Sequence, residues 1–180
     1  DAVRKDLYRP MRPDQLPDFV LPLTVVAQGY RVVYEPEAVL REETLKSGDA
    51  EYRMRVRVSL RALWAIKDMR ELLSPARSSL FALQLMSHKV LRYLAFLFMV
   101  ALYGSNAWLH QDHAYYQASF LSQNIFYGLA TAGYLLDRRG WSNRLFFLPY
   151  YFVLINAGAA HAFIKFLMGK KQVLWVPRTG

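Results

Sequence analysis

The sequence predicts a mainly α-helical, membrane-associated chain that begins with a short α/β segment. Its charges are divided unevenly, since residues 1–92 hold 16 Lys or Arg and 12 Asp or Glu, whereas residues 93–180 hold 7 and 2. Two stretches without formal charge, 93–111 and 113–136, are each long enough to cross a hydrocarbon core of ~30 Å as a helix. Such helices are apolar on every face, which a soluble domain of this size rarely buries.

The first 40 residues have the pattern of an α/β segment. Residues 18–28 predict a short helix, because apolar side chains recur at helical spacing behind Asp18, which can cap the N-terminus. Gly29 ends this helix. Residues 30–34 then predict a strand, and residues 38–40 predict a second extended piece.

The segment 51–73 admits two interpretations. Over residues 52–58 apolar and arginine side chains alternate at the period of a strand, but good helix formers continue beyond them. We favour a helix. It would place Arg53, Arg57 and Arg61 on one stripe, which is typical of a helix at a membrane surface.

The apolar half predicts helices near 90–109 and 115–136. Cations at 88–92 precede the first helix, and three arginines lie in or next to the loop 137–144. By the positive-inside rule these two ends are cytoplasmic, and the loop 110–113 lies outside.

A third apolar segment, 145–168, contains several polar residues and a proline. One crossing would put Lys170, Lys171 and Arg178 outside, against the charge rule, and 24 residues are too few for two crossings. A re-entrant or interface-lying segment would resolve the conflict, since polar backbone is tolerated at depth where protein covers it.

Composition excludes some other classes. The net charge of +9 is compatible with nucleic-acid binding, but the basic residues crowd the segment before the first apolar stretch, where anionic lipid explains them. We therefore expect no nucleic-acid partner. The absence of cysteine excludes disulfides and thiolate zinc sites. The opening DAVRK, without an initiator Met, leads us to expect a piece of a larger protein.

Four segments, in order and with compatible spacing, resemble a known family. They read DAVRKDLY at 1–8, DFVLPL at 18–23, QGYRVVYEPEA at 28–38 and SHKVLRY at 87–93. Together they resemble bacterial membrane glycosyltransferases of family 2, of the cellulose synthase, hyaluronan synthase and poly-N-acetylglucosamine synthase kind. The resemblance implies a C-terminal fragment that comprises the edge of a GT-A α/β domain, an interface helix and about three hydrophobic helices, transmembrane or re-entrant.

The resemblance implies that Asp18 is the general base. A sugar hydroxyl is a poor nucleophile until its proton is drawn off as it attacks. The alternative is that Asp18 only caps its helix. Family members usually carry a second acidic residue before the base, where this chain has Pro17.

The resemblance also implies binding roles for basic and aromatic residues. Arg53, Arg57 and Arg61 stand where processive members carry a Gln/Arg-x-x-Arg-Trp element that holds acceptor or diphosphate, although Val58 replaces the Trp. Contact with lipid headgroups is the alternative. A further set resembles the gating loop that closes over the nucleotide, with the order of residues changed: Trp175, Arg178 and Thr179. The alternative is a tryptophan at the membrane interface with a disordered tail.

The expected organisation is therefore a GT-A edge over 1–50, amphipathic interface helices over 51–89, a transmembrane region over 90–168, and a cytoplasmic tail or gating-like segment over 169–180. The implied activity is inverting transfer from a nucleotide sugar to a glycan or lipid-linked acceptor, at the cytoplasmic side of a multi-pass protein of the bacterial inner membrane. Membrane lipid is a further expected partner.

The implied cofactor is a divalent cation, Mg²⁺ or Mn²⁺, whose Asp-x-Asp ligands would precede residue 1; we expect no metal ligands in this chain. The rival interpretation is a non-enzymatic membrane scaffold or channel subunit with a vestigial transferase domain.

Overall fold

The computed structural model describes residues 2–40, 47–141 and 143–172, with the side chains of 77–79 omitted. Within these residues the fold is mainly helical, as predicted. The α-helices are α1 Pro17–Ala27, α2 Gly48–Asp68, α3 Pro75–Leu85, α4 Leu91–Tyr93, α5 Ala95–Leu109, α6 Ala114–Asp137 and α7 Arg144–Leu167. Short 3₁₀ turns, Lys5–Leu7 and Arg70–Leu73, and a π-helical turn, Met86–Val90, supplement them.

The helix α1 confirms the first predicted helix. It begins at Pro17, whose missing N–H costs nothing at the first helical position. Gly29, at φ +86°, follows its C-terminal end, as the left-handed conformation there favours glycine. The Gln28 side chain donates a hydrogen bond to the Leu7 carbonyl at 2.9 Å, which ties the N-terminal segment to α1.

The helix α7 runs through the middle of the structure and packs along both α2 and α6. The main core lies where α1, the C-terminal half of α2, the α3–α4 region and the end of α7 meet. Its buried residues are Phe19, Val20, Leu23, Ala62, Leu63, Ala65, Ile66, Leu72, Leu85 and Tyr93.

The predicted strand at 30–34 is wrong for the described structure. These residues form neither helix nor strand, and no strand occurs in the described ranges. Val33 and Tyr34 are 83% and 86% exposed. A strand needs a neighbour to satisfy its backbone groups, and no described segment lies in position to pair with this one.

The helix predicted in the ambiguous segment is confirmed as α2, which holds all of 52–58 in helical conformation. The irregularity expected in the third apolar segment occurs elsewhere. The helix α7 is continuous over 24 residues despite Pro149, whereas the first apolar segment breaks at Leu94, where Leu80–Tyr93 and Ala95–Leu109 meet at 62°.

One described helix, α7, is long and apolar enough to cross a membrane. The bent pair 80–109 meets the same criterion only when its two parts count as one span. The helix α6 is outside this set, since its first half carries polar side chains such as Gln117, Gln123 and Asn124. The buried core helix of a soluble protein meets the same criterion. The criterion therefore shows that α7 has the length and composition to cross a membrane, and no more than that.

Candidate functional site

The candidate base, Asp18, lies exposed in the first turn of α1. Leu16 occupies the N-cap position, and no side chain caps this helix. The interpretation of Asp18 as the cap is therefore wrong. Within the described residues its carboxylate makes no hydrogen bond or ion pair, so it remains available to a ligand.

A cavity of about 370 Å³ opens beside Asp18, between α1 and the α3–α4 region. Most of its wall is apolar, and this part includes Phe19, Pro22, Leu23, Val26, Phe81 and Leu85. The polar lining consists of Asp18, Gln84, His88 and Lys89. An apolar cavity with a few convergent polar groups is the usual form of a small-molecule site.

Lys89 and His88 belong to this cavity, although the sequence indicated them only as cytoplasmic anchors. The Lys89 ammonium lies 5.1 Å from the centre of the Phe19 ring, within range of a cation–π contact. His88 Nδ1 lies 2.9 Å from the Ser87 hydroxyl. Both residues fall in the fourth of the family-like segments, which was the signal that could have assigned them to the site.

The arginine stripe is helical, as predicted, but its members have different surroundings. Arg53 is exposed, Arg57 is half-buried and Arg61 is buried. Arg61 donates from Nε to the Gln172 carbonyl at 3.0 Å. Burial lowers the pKa of Arg61, and the neighbouring charge of Arg57 lowers it further. None of the three lines the Asp18 cavity, so the structure does not join the two predicted groups in one pocket.

The described end of the chain crosses the C-terminal half of α2. Trp64 donates from its indole nitrogen to the Lys170 carbonyl at 2.9 Å. The Lys171 ammonium donates to Asp14 at 3.1 Å and lies 4.9 Å from the centre of the Trp64 ring. These contacts fix residues 169–172 beside the arginine stripe.

Asp14 forms ion pairs with two cations in this contact, Lys171 and Arg12. Arg12 pairs with it at 3.1 Å and also with Asp68. Burial alone would raise the pKa of Asp14, but the hydrogen bonds from Lys171 and Arg12 outweigh it and hold the pKa below its ordinary value.

Trp175, Arg178 and Thr179, the residues resembling a gating loop, lie outside the described residues. In the described ranges no group of three or more His, Asp or Glu side chains is placed to hold a metal ion. These side chains therefore do not fit a divalent cation.

Comparison of this chain with protein-family models, with curated proteins and with solved structures finds no match. The geometry and the sequence resemblance are thus the basis for a functional proposal.

Proposed function

We propose that this chain is part of a membrane-bound inverting glycosyltransferase of the family 2 kind, in which Asp18 is the general base. The observation that carries the proposal is the Asp18 carboxylate, which lines a 370 Å³ cavity, caps no helix and makes no hydrogen bond or ion pair with the described residues. A catalytic base requires an accessible carboxylate of this kind.

In this reaction the Asp18 carboxylate accepts the proton of an acceptor hydroxyl. As that proton leaves, the hydroxyl oxygen forms a bond to the anomeric carbon of the donor sugar from the face opposite the leaving group. The bond from the anomeric carbon to the diphosphate oxygen breaks, and its electron pair departs with the nucleoside diphosphate. General-base assistance of this kind contributes roughly 10²- to 10⁴-fold in rate.

The other residues have supporting roles. Lys89 lines the same cavity, so its ammonium can balance the negative charge that a donor or a deprotonated acceptor brings. Arg53 and Arg57, outside the cavity, present cations to diphosphate or to lipid headgroups. Since the described side chains do not fit a metal ion, no step is assigned to a metal held by this chain.

The proposed location is the bacterial inner membrane, with several crossings and the Asp18 side in the cytoplasm. One helix that is long and apolar enough to cross, and one bent helix pair, support it. The exposed side chains of α5 support it as well: Leu97, Phe98, Val100, Leu102 and Trp108 give this helix an outward apolar surface of the kind that marks contact with a membrane.

The test is sugar transfer by the full-length protein in membranes, with wild type compared with Asp18→Asn. Asn keeps the size of the side chain and removes the proton acceptor. We expect turnover to fall by roughly 10²- to 10⁴-fold while nucleotide affinity stays within about threefold.

Asp6→Asn is the matched control. It removes an exposed carboxylate from the same end of the chain, one whose ion pair among the described residues is with the exposed Arg4, and it should leave turnover unchanged. Turnover by Asp18→Asn within a few-fold of wild type would contradict the assignment of the base. Absence of transfer in wild type with every nucleotide sugar would instead favour a membrane scaffold.

A further inference from the structure

A second cavity of about 440 Å³ lies between the start of α2 and the facing sides of α6 and α7. The proposed transferase site does not use it. Its most frequent lining residue is tyrosine, contributed by all three helices: Tyr52, Tyr127, Tyr134 and Tyr150. Ala130, Val153 and Leu154 complete an apolar wall.

Negative charge collects at one end of this cavity. Asp49 lines it from the first turn of α2, and Asp137, at the end of α6, accepts a hydrogen bond from the Tyr150 hydroxyl at 3.4 Å. The two helix ends approach closely, because a Cβ on Gly48 would lie 2.7 Å from an Asp137 carboxylate oxygen. In the described part of the chain neither carboxylate takes part in an ion pair.

One tyrosine of the cavity already contacts a cation. The Arg138 guanidinium lies 5.6 Å from the centre of the Tyr134 ring and donates to its hydroxyl at 3.2 Å. Among the described residues that line the cavity, Asp49 is the one with a formal charge. The described wall therefore carries a net negative charge next to several aromatic rings.

We propose that this cavity binds an organic cation, a methylated ammonium group with an apolar body. The negative face of an aromatic ring attracts such a cation, and quaternary ammonium groups are held in protein cages of this composition. Asp49 supplies the opposite charge, and the apolar wall accommodates the body of the ligand. The proposal is independent of the transferase function, since the two cavities share no lining residue.

Other ligand classes fit less well. An anion would meet the carboxylate of Asp49, and a neutral apolar ligand would leave that charge without compensation. A divalent metal requires several oxygen or imidazole ligands converging on one point, and the described residues contain no group of three or more such side chains.

The experiment is an NMR titration of the chain in non-ionic maltoside micelles with choline. The control ligand is its uncharged carbon isostere, in which a tert-butyl group replaces the trimethylammonium. Ring currents of the tyrosines should move the N-methyl signal upfield in a saturable manner. The isostere should bind at least about tenfold more weakly, because it lacks the charge that the rings and Asp49 attract.

Variants distinguish the contribution of the tyrosine ring to choline binding from that of its hydroxyl and from that of the Asp49 charge. Tyr127→Leu should weaken choline binding by about twofold to thirtyfold, whereas Tyr127→Phe should bind within about twofold of wild type because its ring face is kept. Asp49→Asn should weaken binding as well. The matched controls, Tyr115→Leu and Asp112→Asn, alter exposed residues at the opposite end of α6 and should leave binding unchanged.

A second titration, with choline and a lysophosphatidylcholine, distinguishes the sources of the cation. Displacement of choline by the lipid assigns the cavity to a lipid headgroup, and persistence of choline binding assigns it to a free small cation. The proposal is overturned if wild type shows no saturable shift, if the isostere binds as tightly as choline, or if Asp49→Asn retains full affinity.

Discussion

Asp18 differs from the residues at the starts of the longer helices. Ser47, His113 and Asn143 each accept a hydrogen bond from a backbone N–H just inside the helix that follows. At α1 this position belongs to Leu16, whose side chain cannot accept one. Asp18 thus contributes to the fold through charge interactions alone, with the positive end of a short helix dipole and with the Lys89 ammonium.

This difference predicts a contrast in stability. Ser47→Ala should lower the free energy of unfolding by about 1 kcal/mol, the usual loss for a helix cap. Asp18→Ala should lower it by only about 0.3 kcal/mol, since exposed charge interactions are lost there and not a cap hydrogen bond. Thermal unfolding followed by circular dichroism in maltoside measures both. An equal loss for the two variants would restore the cap interpretation of Asp18.

We expect the contact between Asp14 and the segment 169–172 to stabilise the fold in a pH-dependent manner. The pKa of Asp14 is depressed in the folded state by Lys171 and Arg12, so this contact stabilises the fold above the ordinary carboxylate pKa of about 4 and is lost as the pH falls through the lower folded value. Between about pH 5 and pH 3 the melting temperature should therefore fall more in wild type than in Asp14→Asn. The same pH dependence in both proteins would show that the contact contributes no stability.

The chemistry at Asp18 was predictable from the sequence only in part. The helix followed from the spacing of Phe19 and Leu23, and the acidic residue at its start was evident. The cavity was not, because Gln84 and Lys89 line the same cavity as Asp18 only through the tertiary packing of α1 with the α3–α4 region. Pro17 at the first helical position was the signal that placed the cap at Leu16.

At the scale of elements, close contact between α6 and α7 depends on glycine. A Cβ at Gly133 would lie 2.4 Å from the Phe146 carbonyl oxygen, which is backbone and cannot rotate away. Gly128, on the same helix, has no atom within 4 Å of such a Cβ. The two glycines therefore make a matched pair.

We expect Gly133→Ala to destabilise the protein by about 1–3 kcal/mol, because α6 and α7 must move apart. Gly128→Ala should stabilise it by up to about 1 kcal/mol, since alanine favours a helix. Thermal unfolding in the same micelles measures both effects. Comparable stability of the two variants would show that α6 and α7 do not approach as described.

The helices were predictable because their periodicity is local. The non-strand conformation of residues 30–34 and the bend at Leu94 were not. Residues 30–34 have β-branched and aromatic side chains, but a strand also needs a partner, which a local pattern cannot supply. The break at Leu94 falls inside a continuous apolar run without Gly or Pro. The bend there depends on packing, since the buried Tyr93 belongs to the main core and the α5 helix that follows leaves it.

At the scale of the whole molecule, the α5–α6 hairpin decides whether the chain crosses a membrane there. Several of the polar side chains that lower the hydropathy of α6 form hydrogen bonds with α5. Asn106 donates to Ser119 at 2.9 Å and to Gln123 at 3.0 Å, and Tyr103 donates to Asn124 at 3.1 Å. Hydrogen bonds of this kind join helices in an apolar surrounding, which allows α6 to enter a membrane together with α5.

We propose that this hairpin crosses the membrane and leaves the Asp18 side in the cytoplasm. The most direct test of this proposal is labelling of single cysteines by an impermeant maleimide in intact and permeabilised cells, which the cysteine-free sequence makes simple. The account predicts that Asp112→Cys reacts in intact cells, whereas Arg139→Cys and Arg9→Cys react only after permeabilisation. Reaction of Arg139→Cys in intact cells, or protection of Asp112→Cys until permeabilisation, would contradict it.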